Sequence, residues 1–164
     1  MNPKIDLTCL KWTKNINHPD STKWAHTHSE VHYSSLVPEL NLHWKKGSEA
    51  NIEKPKTGDI ILLRQRTRVT HLVMILDKVI GNNLNPDDPY PLFRHVQVLW
   101  LAKEPWENAP YQDNVFGFDI NLRHGKAVQL DHIEALTEEF KELGGLKAFQ
   151  NRVVEKLGLK TAIN

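Results

Sequence analysis

The residues of this chain best suited to chemistry are flat rings set in polar surroundings. Five tryptophans occur in 164 residues. Trp24 and Trp44 lie in irregular, polar sequence where no periodic apolar face demands them, and Tyr33 stands between them. Rings on such segments form walls that sandwich a planar ligand, and stacking on one base contributes about 1–3 kcal/mol. The competing reading makes them anchors that hold loops against a sheet. Trp12, on an expected strand, is the weakest member of the ligand-facing set. Trp100 falls on the apolar face of an alternating strand and reads as core.

Cations come next. Arg64, Arg66 and Arg68 follow one another at two-residue spacing, which on a strand puts three guanidinium groups on one side. That is a strip for phosphates or a solvated hairpin tip. His26, His28 and His32 invite a zinc reading, because imidazole suits zinc and histidines two apart share a strand face. No second cluster of ligands downstream completes such a site, so no metal and no cofactor is expected. The chain also lacks a glycine-flanked serine elbow, a phosphate-cradling glycine loop and a dinucleotide fingerprint. Cys9 is the single cysteine, which excludes an intramolecular disulfide, and it reads as a small hydrophobe. These exclusions favour binding over catalysis.

Composition bounds the rest. Lys+Arg is 21 against Asp+Glu 20, for a net charge of +1. This excludes a polycationic tail and leaves room for a local basic groove. Charge balances up to Glu53, turns basic from Lys54 to Lys103, and is acidic afterwards. No apolar run approaches the roughly 18 residues of a membrane span, and the N-terminus lacks an apolar signal core. A cytoplasmic setting, with no membrane contact, is the expectation.

The elements that must position these residues read as strands first and helices last. A first strand is expected over residues 6–12. Residues 14–55 read as irregular, with a short helix over 34–42. Residues 60–63 and 69–76 make a hairpin with residues 65–68 at its tip, and 81–91 is a loop. Val96, Val98 and Trp100 alternate along another strand, and 115–120 reads as one more. A turn at 123–126 precedes a strand over 127–130. Asp131 and Glu134 resemble a capping box for a helix with Ile133, Leu136, Phe140 and Leu143 on one face. Gly144 and Gly145 separate it from a second helix carrying Leu146, Phe149, Val153 and Leu157, ended by Gly158. The fold class is α+β: one domain over 1–164, a small curved β-sheet or barrel, with helices over about 132–158 on one side or end.

Four stretches, in order, resemble the YTH/EVE branch of the PUA-like superfamily. Lys14-Asn15-Ile16, followed after a gap by Trp24, resembles that family's first strand, its polar segment and the tryptophan opening the ligand pocket. Residues 62–76 are similar to its central hairpin. Val96-Gln97-Val98-Leu99-Trp100-Leu101, after the Asp87-Asp88-Pro89 loop, resembles the strand ending in tryptophan. Arg123-His124-Gly125-Lys126 resembles the arginine-containing turn ahead of the closing helix. The likeness covers about residues 6–140. It departs at the hairpin turn, where glycine is missing, and at His124, where YTH proteins commonly carry an acid.

The resemblance implies a PUA-like fold and a reader module that holds a modified, typically methylated, base in an aromatic cage. Trp24 is then a cage wall and Arg123 a phosphate or base contact. The expected partner is nucleic acid, DNA or RNA, with any cleavage supplied by a separate nuclease or processing protein. A second reading comes from a related branch of small hydrolases that act on modified nucleosides through Lys, Thr and Glu; Lys11, Thr13 and Glu30 are the residues of this chain it would use. A third is a protein-interaction domain of a defence or RNA-processing system.

Overall fold

The computed structural model describes residues 5–20, 22–26 and 38–160. Tyr33, His28, His32 and Glu30 lie outside them. Six strands form one mixed sheet: β1 (Leu10–Asn15), β2 (Glu39–Trp44), β3 (Ile60–Gln65), β4 (Arg68–Asn82), β5 (Leu92–Leu101) and β6 (Ala127–Gln129). Their spatial order is β2-β5-β4-β3-β1-β6, parallel between β1 and β3 and antiparallel elsewhere.

β3 explains the two-sided core. Every one of its residues is buried, and successive side chains of a strand point to opposite faces. Ile60 and Leu62 join one apolar layer, Ile61 and Leu63 the other. The first layer is roofed by α2 (Gln112–Phe116), α3 (Glu134–Phe140) and α4 (Leu146–Leu157). Phe149 of α4 anchors it, its ring 5.2 Å from Phe116 and 5.5 Å from Phe140. The second layer holds Trp12, Leu42, Trp44, Ile75 and Val96, with Ile52 entering from the short α1 (Glu49–Ile52).

The sheet curls until its far ends meet. Lys14 of β1 lies 4.7 Å from the ring centre of Trp44 on β2, although three strands stand between them. Asn51 of α1 ties the same ends. Its Oδ1 accepts from the Trp44 indole and the Ala127 N–H, both at 2.8 Å, and its amide donates to the Ala127 carbonyl at 2.9 Å. No ladder joins β2 to β6, so among the described residues the sheet is curved but not closed into a barrel.

Several expected elements shift, each for a local reason. The Asp6 carboxylate accepts from the Thr8 N–H and folds Leu7–Cys9 into a 3-10 turn, so the first strand begins at Leu10. Residues 39–42, expected as helix, belong to β2, where Leu40, Leu42 and Trp44 turn inward at period two. β4 runs on to Asn82, through part of the expected loop. Residues 115 and 116, expected as strand, end the helix over residues 112–116, and Gly117 stops that helix at φ +87°. Asp131 caps nothing: it sits in a 3-10 turn, and the N-cap of α3 is Ile133 without a side-chain bond. Leu143 is exposed. The second helix, from Leu146 to Leu157 with Gly158 at its end, lies where its apolar spacing puts it.

The hairpin tip is tighter than its sequence suggests. Only Arg66 and Thr67 separate β3 from β4, with φ of +49° and +65°. Both central residues of a two-residue type I′ turn need positive φ, because that twist matches the flanking strands. Farther along, β4 and β5 pair Gly81 with Phe93, whose ring covers the glycine; a Cβ there would stand 2.1 Å from the ring.

Candidate functional site

A pocket of about 390 Å³ opens where β1 ends, between the following polar segment and β2. That volume lies within the range of small-molecule sites. Its lining includes Lys14, Asn15, His26, Asn41, His43 and Tyr90. Lys14 is 2% exposed. Burial disfavours its charged form and brings the ammonium pKa down to about 7. Nζ donates to the Gly125 carbonyl and lies over Trp44. A lysine ammonium has three N–H donors, so donor capacity remains on the pocket side.

His26 reaches the pocket through a buried amide. Gln65, the last residue of β3, accepts from the N–H of Ala25 at 2.9 Å and of His26 at 3.4 Å. Its own NH₂ donates to the His26 carbonyl and to the Thr70 hydroxyl. A wholly buried glutamine thereby splints an otherwise irregular segment to the sheet. The His26 ring stacks against His43, with centroids 6.0 Å apart and planes at 27°. His43 Nδ1 lies 2.9 Å from the Tyr90 carbonyl; a carbonyl only accepts, so this nitrogen carries a proton. Phe93 also packs against His43, with ring centroids 5.6 Å apart.

Residues 15–18 form a shared wall between this pocket and a second depression of about 480 Å³. The exposed cations Lys23, Arg66 and Arg123 line that depression, with Asp119 as its acid. The Asn15 amide donates to the Arg123 carbonyl at 2.9 Å, which pins the 123–126 loop beside the end of β1. A small polar pocket therefore adjoins a basic groove.

The expected tryptophan cage is not what forms the pocket. Trp44 is fully enclosed, its indole N–H spent on Asn51; it backs Lys14 from the core side. Trp12 is likewise buried and donates to Asp59 at 2.8 Å. Trp24 is half-buried, packed edge-on against Trp106 at 5.6 Å, with the Arg66 guanidinium 4.9 Å from its ring centre. It supports the groove's arginine and does not line the pocket. Trp24 and Trp44 therefore share no cavity. Tyr33 lies outside the described residues.

The arginines also part company. Arg64 is 1% exposed and points into the helix-side layer. It donates to the Thr13 hydroxyl, the Leu122 carbonyl and the Gln112 amide oxygen, and burial lowers its pKa to about 10. Arg66 projects from the turn. Arg68 begins β4, donates to the Ala109 carbonyl and lies over Tyr111. The two-residue turn between Gln65 and Arg68 breaks the one-sided spacing. Arg66 and Arg123 face the basic groove, while Arg64 serves as its buried floor.

Of the residues the hydrolase reading would use, Glu30 lies outside the described residues. Lys11 is half exposed, 3.6 Å from Asp59, while the Thr13 hydroxyl donates to the Leu62 carbonyl within the sheet. Among the described residues no group of three His, Cys, Asp or Glu could hold a metal ion. None of their helices is long and apolar enough to cross a membrane. Lys14 and His43 in the pocket lining and Gln65 behind it are the residues that the sequence reading passed over, while His26, considered there for zinc, lines the pocket instead. Lys14 carried a signal, since a lysine at the end of an apolar strand beside two asparagines is a polar group directed into a core. Comparison with family models, curated proteins and solved structures found no match.

Proposed function

We propose that this protein is a nucleic-acid-binding module that takes one extruded base into the pocket over Lys14, with neighbouring phosphates on Lys23, Arg66 and Arg123. The observation that carries this reading is the shared wall at residues 15–18, which joins a pocket of small-molecule size to a basic groove. Phosphate contacts position a strand, and contacts to the base specify it. The polar side chains, histidine rings and Tyr90 supply edge and face contacts where an indole cage was expected. A PUA-like arrangement of YTH/EVE type is part of the proposal, supported by the order of first strand, central hairpin, tryptophan-ended strand and arginine turn. So is a cytoplasmic setting, supported by the lone cysteine.

Titration of single-stranded DNA and RNA nonamers, with a plain or methylated central base, tests the reading. Tighter binding of one modified base, lost in Lys14→Met, is the expected result. Equal affinity for plain and modified strands removes the claim that it reads a modification.

A second reading rests on the same lysine. An amine whose pKa is about 7 is half neutral at physiological pH and able to take a proton from water attacking an acyl group. Release of the carboxylic acid from an acylated nucleoside, absent in Lys14→Met, would favour an enzyme over a reader.

A further inference from the structure

Beyond Gly125 from the pocket lies a third depression, a groove of about 960 Å³ along the edge strand β6. Lys11, Lys54, Lys56, Lys126, His124 and His132 line it. Its one acid, Asp59, is already engaged: it accepts from the Trp12 indole and the Lys56 N–H, and lies 3.6 Å from the Lys11 ammonium. Lys54, Lys56 and Lys126 are exposed and have no carboxylate within 4.0 Å among the described residues. So much uncompensated like charge in one concavity repels itself and attracts a polyanion.

The loop 123–126 connects this groove to the site already described. Arg123 faces the first basic groove, Gly125 lines the pocket, and His124 with Lys126 lines the β6 groove. The pocket is thus flanked by cationic depressions on two sides. A free nucleoside needs neither. We propose that the β6 groove holds the phosphodiester backbone of the strand on the far side of the extruded base, so that the ligand is a continuous polynucleotide seated in both grooves. This rests on the base-pocket reading for its register, yet it makes a separate claim about charge. Lysine on an edge strand also discourages strand-to-strand pairing, and the experiment separates that role from phosphate binding.

The probe is a single-stranded DNA nonamer with an abasic centre, which removes the pocket contact and keeps the phosphates. The combined variant Lys54→Glu, Lys56→Glu, Lys126→Glu is compared with Lys141→Glu, Lys147→Glu, Lys156→Glu, an equal charge change on the helical side. Each single-strand phosphate contact contributes about 0.7 to the slope of log affinity against log salt. The groove variant is expected to lower that slope by about 2 and weaken binding at least about tenfold at low salt, with the helical-side variant much less affected. Lys54→Gln and Lys56→Gln, each expected to lower the slope by about 0.7, carry the test if the triple variant misfolds. Unchanged affinity and slope would leave the lysines as edge guards and overturn the proposal, as would an equal loss in the helical-side variant. Titration with plain and methylated deoxynucleosides keeps the two readings apart. Lysine-dependent abasic binding without nucleoside binding fails the pocket and spares the groove, and the converse spares only the pocket.

Discussion

The Lys14 ammonium lies 4.7 Å from the centre of the Trp44 ring, joining strands that three others separate in the sheet. The attraction to the ring exists only for the charged amine, yet burial works against that charge and sets the pKa to about 7. In the unfolded chain the lysine keeps its proton up to 10.5. Between the two values the unfolded state binds more protons, so stability rises with pH across that window. Compared with Lys14→Met, the wild type is expected to gain stability from about pH 7 towards 10.5 and to show a constant difference below it. Urea denaturation of both proteins across the window checks this; parallel curves would refute it.

Gln65 holds Ala25 and His26 by side-chain bonds alone. Gln65→Leu removes these bonds, and each bond lost costs about 0.5–1.5 kcal/mol. Lower stability and weaker ligand binding are expected together, with the His26 ring resonances shifted in NMR spectra. Retention of the His26 shifts would show that another contact seats the segment.

Trp44 and Asn51 act as one unit with Ala127. Trp44→Phe removes the indole donor and costs about 0.5–1.5 kcal/mol, since Asn51 Oδ1 keeps the Ala127 N–H. Asn51→Ala also frees both backbone groups of Ala127 and costs more. The double variant is expected to lose less than the sum of the single ones. Additive losses in a denaturation cycle would mean the two residues work independently.

Arg64 and Arg66, two residues apart, should behave in opposite ways. Arg64→Ala strips buried partners from Thr13, Gln112 and Leu122 and is expected to cost on the order of 3 kcal/mol. Arg66→Ala stays within about 0.5 kcal/mol of wild type in stability while weakening nucleic-acid binding and its salt dependence. Thermal melts and salt titrations of both variants settle the division.

The turn itself carries strain. A β-branched Thr67 at φ +65° is an outlier for that residue type. Arg66→Asn with Thr67→Gly suits the geometry and is expected to stabilise the hairpin by about 1 kcal/mol, read as a raised melting temperature. A lowered one would place the backbone's preference elsewhere.

Periodic sequence proved legible and local polar chemistry did not. Ile60 to Leu63, the alternation through Val96 and Val98, and the Phe149–Val153–Leu157 face lie in the elements their spacing implies. Residues 115–120 misled because an apolar run fits a strand or a short helix equally, and Gly117 decides only through its φ. The site was hidden for a related reason. Trp24 and Trp44 drew attention as surface rings, but indoles bury well, and Trp44 found a polar partner in Asn51, seven residues on. The pocket depends on long-range pairs, Gln65 with His26 and Lys14 with Gly125, which no spacing along the chain announces.

The bare backbone at Gly81 has a reach beyond its own pair of strands. Phe93 fills the space its missing side chain leaves, and that ring also packs against His43, 5.6 Å away. Alanine at position 81 would lever the ring outward and, through it, tilt an imidazole in the pocket wall. The site is thus adjustable from a remote position that touches no ligand, a handle for altering selectivity while every contacting residue stays as it is.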